Sequence, residues 1–246
     1  VSAVRSSIQN RAGVFSALIG GPKTDLERKS NTLSAAKKVQ SWPEFTLVEP
    51  SVNYRSFSQP NDPLYQKQWH FEKINLPTAW DISVGAGAVK VAVLDTGIHH
   101  SHPDLAGRIS ADSYDFVSNV NSSGDGDGID SNPSDPGTGS DNILCPDSSS
   151  QISSFHGTHV AGTVGAVGNN AIGVTGVNWN VELMDVRVLG CGGSGSIQDI
   201  VDGIYYAAGL PSQWGISPSS PADIINLSLG SQTYSQSMAV AVLAAR

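Results

Sequence analysis

The chain has 246 residues, 39% hydrophobic and 15% charged, with 26 glycines and 13 prolines, which describes a packed globular protein rich in turns and excludes a disordered polymer. It has no apolar run of about 18 residues or more, which excludes a membrane-spanning helix. The net charge of −8 is unevenly spread: residues 1–57 hold eight Lys/Arg and four Asp/Glu, the remainder six and eighteen, and the basic residues are too scattered for a nucleic-acid footprint.

Residues 1–57 read as a small α+β module. Residues 34–42 suit a short helix that Pro43 stops, and residues 45–49 suit a strand. Residues 54–63 are polar, hold two prolines and have no periodicity, as in a linker. The second module, 58–246, opens with a nearly continuous β-branched run over 88–94, the pattern of a strand buried on both faces of a parallel sheet. Residues 181–189 and 224–229 read the same way. Between those strands Ser196 suits an N-cap, followed by a helix with Ile197, Ile200, Val201, Ile204 and Tyr205 on one face. A further apolar helix begins near Ser235. Strands alternating with helices make an α/β fold, a parallel sheet covered by helices, with its ligand crevice at the C-terminal strand ends. Asp95 falls there. Residues 112–155 have no periodicity and are too long for a plain connection, so they must be flexible or held by something other than an apolar core.

Two local sequences carry chemistry. Val91-Ala92-Val93-Leu94-Asp95-Thr96-Gly97 ends a strand on an acid, and His156-Gly157-Thr158-His159-Val160-Ala161-Gly162 opens a small-residue helix on a histidine. A serine becomes a useful nucleophile when an imidazole takes its proton and a carboxylate fixes that imidazole's tautomer. Asp95 and His156 meet the second and third of these requirements.

In these motifs the chain resembles the subtilisin-like serine peptidases, over about residues 62–246. The resemblance implies that Asp95 is the orienting acid and His156 the general base. It implies that Ser228, Leu229 and Gly230 line one wall of the primary specificity pocket. Gly193 and Gly195 form the opposite edge, where an extended peptide adds as a strand. In that family the nucleophile lies in Gly-Thr-Ser-Met-Ala, which this sequence lacks; Ser237-Met238-Ala239 has no preceding Gly-Thr. The expectation is therefore a serine endopeptidase precursor seen without its nucleophile, inactive as given. The start without Met and the end inside an alanine-rich run fit an internal piece of that precursor. By the same resemblance residues 1–57 are a propeptide that inhibits its own enzyme. The +4 charge of that segment against −12 favours docking.

The run from Asp125 through Asp127 and Asp130 to Asp135 places hard oxygen ligands on a glycine-rich loop, which suits calcium, or else a solvated acidic loop. The family resemblance implies a second calcium site at Asp62, Asp104 and Asn170 with the carbonyls of Val167, Ile172 and Val174. Cys145 and Cys191 read as a disulfide in a secreted chain, or as two separate thiols. The expected partners are protein or peptide substrates and the chain's own propeptide, with no nucleic acid and no membrane. The rival expectation is a non-catalytic pseudopeptidase or a calcium-binding interaction module. A sheet with an uncovered edge also predicts poor solubility.

Overall fold

The computed structural model describes residues 24–41, 43 and 59–246. The chain divides into two compact units, Val1–Ser56 and Phe57–Arg246. In the first, helix α1 spans Asp25–Gln40, beginning well before the helix expected at 34–42. The reason is a capping box: the Glu27 amide donates to Thr24 Oγ1, and Glu27 Oε2 accepts from the Thr24 amide. The strand expected over 45–49 lies outside the described residues.

In the second unit the order is α2 (Trp69–Lys73), α3 (Leu76–Trp80), β1 (Lys90–Asp95), β2 (Tyr114–Asp115), α4 (Val120–Ser123), α5 (His156–Gly165), β3 (Glu182–Arg187), α6 (Ile197–Ala207), β4 (Ile224–Leu227) and α7 (Gln236–Ala244). The sheet order is β2-β3-β1-β4, every pair parallel, with Asp95 opposite Arg187 and Leu94 opposite Leu227. This is the α/β class expected from the sequence.

β1 is buried at all six positions because both faces are covered. Ala92 and Leu94 pack with Met184, Val186 and the α6 residues Ile200, Val201 and Ile204. Val91 and Val93 point the other way, to Leu183, Ile98 and Ala161 of α5. Each such Val or Leu contributes about 1.5–3 kcal/mol by leaving water. Ser196 caps α6 through its Oγ, accepting the Asp199 amide. The buried stripe of α6 differs from expectation at its ends: Ile197 is exposed, and Tyr206 rather than Tyr205 is the fully buried tyrosine, donating its hydroxyl proton to the Asp112 carbonyl.

Residues 112–155 are held mostly by polar bonds and one covalent link. Arg187, fully buried, donates to Asp115, Asp125 and the Ser123 carbonyl. Asn142 Nδ2 donates to the carbonyls of Gly124, Pro136 and Gly137. Cys145 and Cys191 form a disulfide, with Cα atoms 5.4 Å apart. The short strand β2, which the sequence reading missed, docks this segment on the sheet edge. At the opposite edge β4 is half exposed, with Ile224 at 53%.

Candidate active site

Asp95 is the last residue of β1 and is fully buried. Its Oδ1 lies 2.7 Å from His156 Nδ1 and also accepts the Thr96 amide at 2.8 Å. Its carbonyl accepts the amides of both Val188 and Leu189, which fixes the strand end. His156 is the first residue of α5, and its side chain is 48% exposed toward a cleft. α5 can approach this closely because Gly157 has no side chain: a Cβ there would meet the Gly97 carbonyl oxygen at 2.3 Å. Gly97 itself has φ +96°, and a Cβ on it would strike the Pro133 carbonyl, so both conformation and space require glycine.

The cleft encloses about 1090 Å³. His156 lines it together with Gly193, Gly195, Ser228, Leu229 and Gly230, so all five expected substrate residues face the same space as the imidazole. The glycine edge is not a plain strand. Residues Cys191–Gly193 form a single 3-10 turn, with Gly192 and Gly193 at positive φ, and the chain becomes extended again at Ser194. The Gly192 amide donates to the Thr138 carbonyl, tying this edge to the long acidic segment. Ile197, expected in the core, lines the cleft instead.

Behind Asp95 lie polar groups that the sequence reading did not place. Thr96 Oγ1 accepts the Gly157 amide at 3.0 Å and donates to Asp135 Oδ2 at 2.7 Å. Burial raises the Asp135 carboxyl above its ordinary value, against the opposing Thr96 bond. Asp185 of β3, fully buried, accepts the Ile98 amide at 2.9 Å and faces His100 Nε2 at 2.8 Å. Burial pushes the Asp185 carboxyl to about 6, with the bond from His100 opposing. The one available signal for Asp185 was an acid inside an apolar run that reads as a buried strand.

The two expected calcium sites fare differently. Asp125, Asp127 and Asp130 remain neighbours, and the Asp127 carboxyl is raised first by the Asp125 charge. Asp125 is engaged by Arg187, however, and Asp135 turns away to Thr96 with its other oxygen on the Gly137 amide. That four-aspartate ligand set is not assembled, because an internal guanidinium and a buried hydroxyl take two of its members. Among the described residues no three His, Cys, Asp or Glu side chains are grouped to hold a metal. At the second site Asp62 accepts the Asn169 and Asn170 amides, and Asp104 accepts from Asn170 Nδ2 and the Val174 amide. Residues 167–174 thus wrap both carboxylates: the Val167 amide donates to the Asp104 carbonyl, and the Ile172 amide to Asn170 Oδ1.

A family model described as the subtilase family matches residues 86–245. The chain belongs to the subtilase family. It is 41% identical over 214 residues to an extracellular protease of Xanthomonas campestris pv. campestris, covering 85% of this chain and 35% of that protein. An extracellular basic protease of Dichelobacter nodosus is 39% identical over 201 residues, 78% of this chain and 33% of that one. Thermitase of Thermoactinomyces vulgaris is 37% identical over 172 residues, 70% of this chain and 48% of its own. A solved protease structure from Pseudoalteromonas arctica superposes with a TM-score of 0.67 at 44% identity, covering 76% of this chain and 56% of that one. This subtilase chain therefore spans a third to a half of the length of these curated relatives.

Proposed function

We propose that this subtilase is part of a secreted serine endopeptidase precursor that hydrolyses peptide bonds through an acyl-enzyme. The observation that carries this reading is the 2.7 Å Asp95–His156 pair opening onto a cleft shared with the glycine edge and the Ser228–Gly230 wall. Asp95 Oδ1 is an acceptor, so the imidazole holds its proton on Nδ1 and presents Nε2 as the base. Nε2 would take the serine proton as the hydroxyl oxygen bonds to the scissile carbonyl, then return it to the departing amine. Water would repeat the sequence to release the acid. The serine itself is assigned to a Gly-Thr-Ser-Met-Ala segment, which these 246 residues do not contain. The names of the relatives support secretion, and the disulfide suits an oxidising compartment.

Residues 1–57 are proposed as the inhibitory propeptide. A structural calcium ion is proposed at Asp62, Asp104 and Asn170. Asp62 and Asp104 are buried, at 4% and 1% exposure, and both accept N–H groups of residues 169–174, so two buried carboxylates share one loop, an arrangement that fits a bound cation.

The test is the coding sequence read past Arg246, then expressed whole and assayed on casein with a serine-directed acylating or phosphonylating inhibitor. Inhibitable hydrolysis that His156→Ala abolishes supports the peptidase reading. A reading frame that stops without a Gly-Thr-Ser segment sinks it in favour of a binding module, and hydrolysis that survives His156→Ala sinks the assignment of His156 as the base.

A further inference from the structure

Asp135, within the acidic segment 112–155, bonds to Thr96, the residue that follows Asp95. Asp135 is 6% exposed and Thr96 1%, so the bonds between them are made out of water. Their direction follows from chemistry. The Gly157 amide is only a donor, so Thr96 Oγ1 must accept from it, and the hydroxyl proton must go elsewhere. It goes to Asp135 Oδ2, while Asp135 Oδ1 accepts the Gly137 amide, so both oxygens act as acceptors. The Gly157 amide is one of the first-turn N–H groups of α5 that no helical carbonyl can satisfy. The residue before it is His156. The Asp135 amide also donates to the Ile98 carbonyl, so the acid is clamped to the segment that follows Asp95.

We infer that Asp135 is a positioning residue for His156: the relay Asp135–Thr96–Gly157 fixes the first turn of α5 and thereby holds the imidazole on Asp95. This inference rests on the reading of Asp95 and His156 as the catalytic pair, and it assigns to the acidic segment a role in the site besides any role in binding metal. Asp135→Asn takes away the acceptor of the Thr96 hydroxyl proton: if the single amide oxygen keeps the Gly137 amide, the NH2 can only donate to Thr96 Oγ1, and the hydroxyl proton must find another partner.

The test uses the whole chain and the downfield proton resonance of His156 Nδ1–H, assigned by its disappearance in His156→Ala. Thr96→Val removes the hydroxyl and Thr96→Ser retains it, so the relay can be cut at either of two points should Asp135→Asn fail to fold. The expected result is loss of the resonance in Thr96→Val and Asp135→Asn and its retention in Thr96→Ser. An unchanged resonance in Thr96→Val overturns the inference, even where thermal stability falls. So does loss of the resonance in Thr96→Ser, which keeps the hydroxyl. Because the resonance is read without turnover, the relay can fail while peptide hydrolysis stands, and the reverse.

Discussion

Gly157→Ala tests the contact on which the site is built. The new methyl carbon would lie 2.3 Å from the Gly97 carbonyl oxygen and 3.1 Å from Asp95 Cβ. Reaching even a 3.0 Å contact means that α5 recedes from the strand end by about 0.7 Å, and neither neighbour is a flexible side-chain tip that can swing aside. His156 is adjacent in sequence and moves with it, stretching the 2.7 Å bond to Asp95 beyond about 3.3 Å, where little of it remains. Overpacking of this kind costs about 1–3 kcal/mol of stability, and displacements approaching 1 Å cost on the order of 100-fold in rate where catalysis depends on that geometry. The control lies on the same helix. A Cβ at Gly162 meets nothing within 4 Å, so Gly162→Ala gains about 0.5–1 kcal/mol from helix propensity alone. Urea unfolding of both variants, with the His156 Nδ1–H resonance recorded in each, is the assay. Equal stabilities for the two variants, or an undisturbed resonance in Gly157→Ala, would refute the close-approach reasoning.

Asp112 supplies a pH test. Burial alone would raise its carboxyl, but the Lys90 ammonium at 2.6 Å and bonds from Ser219 hold it at about 2. A depressed folded value means stability that is present above about pH 4 and lost as pH falls through about 2. Asp112→Asn should flatten the unfolding free energy across that window, and an unchanged slope contradicts the ion pair. Opening the Cys145–Cys191 link, which joins residues 46 apart, should lower stability by about 4 kcal/mol on the chain-entropy model; paired serine substitutions in urea measure it. Added calcium should raise the melting temperature of the parent chain, by the equivalent of about 2.7 kcal/mol at a hundredfold excess over Kd, and leave Asp104→Asn unmoved. An equal rise in both rejects the Asp62–Asp104 site.

The chemistry of the pair was legible because each half is written locally. A β-branched run ending on Asp95 and a small-residue run opening on His156 need no knowledge of the rest of the fold. The cleft walls were legible only through family resemblance, since Gly193 or Ser228 alone resembles any sheet edge. What escaped was set by tertiary contacts. Nothing near Asp135 in sequence shows that it turns to a threonine 39 positions earlier, and its spacing from Asp125 points to metal instead. Arg187 sits inside an apolar strand, where its burial makes sense once Asp115 and Asp125 are known to meet it. The early start of α1 was readable: Thr24 and Glu27 have capping-box spacing, but the polar residues after them hide the helical period.

The strand order also sets a timetable for synthesis. β1 pairs with no strand near it in sequence: Lys90 lies opposite Glu182, and Val91 opposite Ile224. At roughly 5–20 residues per second, a ribosome needs about 5–18 s after making Lys90 to produce its first partner, and somewhat longer for the second. During that interval an apolar strand leaves the exit tunnel with nothing to pair with. Contacts this distant also slow folding after release. Residues made during that interval, among them Ile98, Leu105 and Ala161, pack with Val91 and Val93, so one face of the strand can be covered before either partner strand exists.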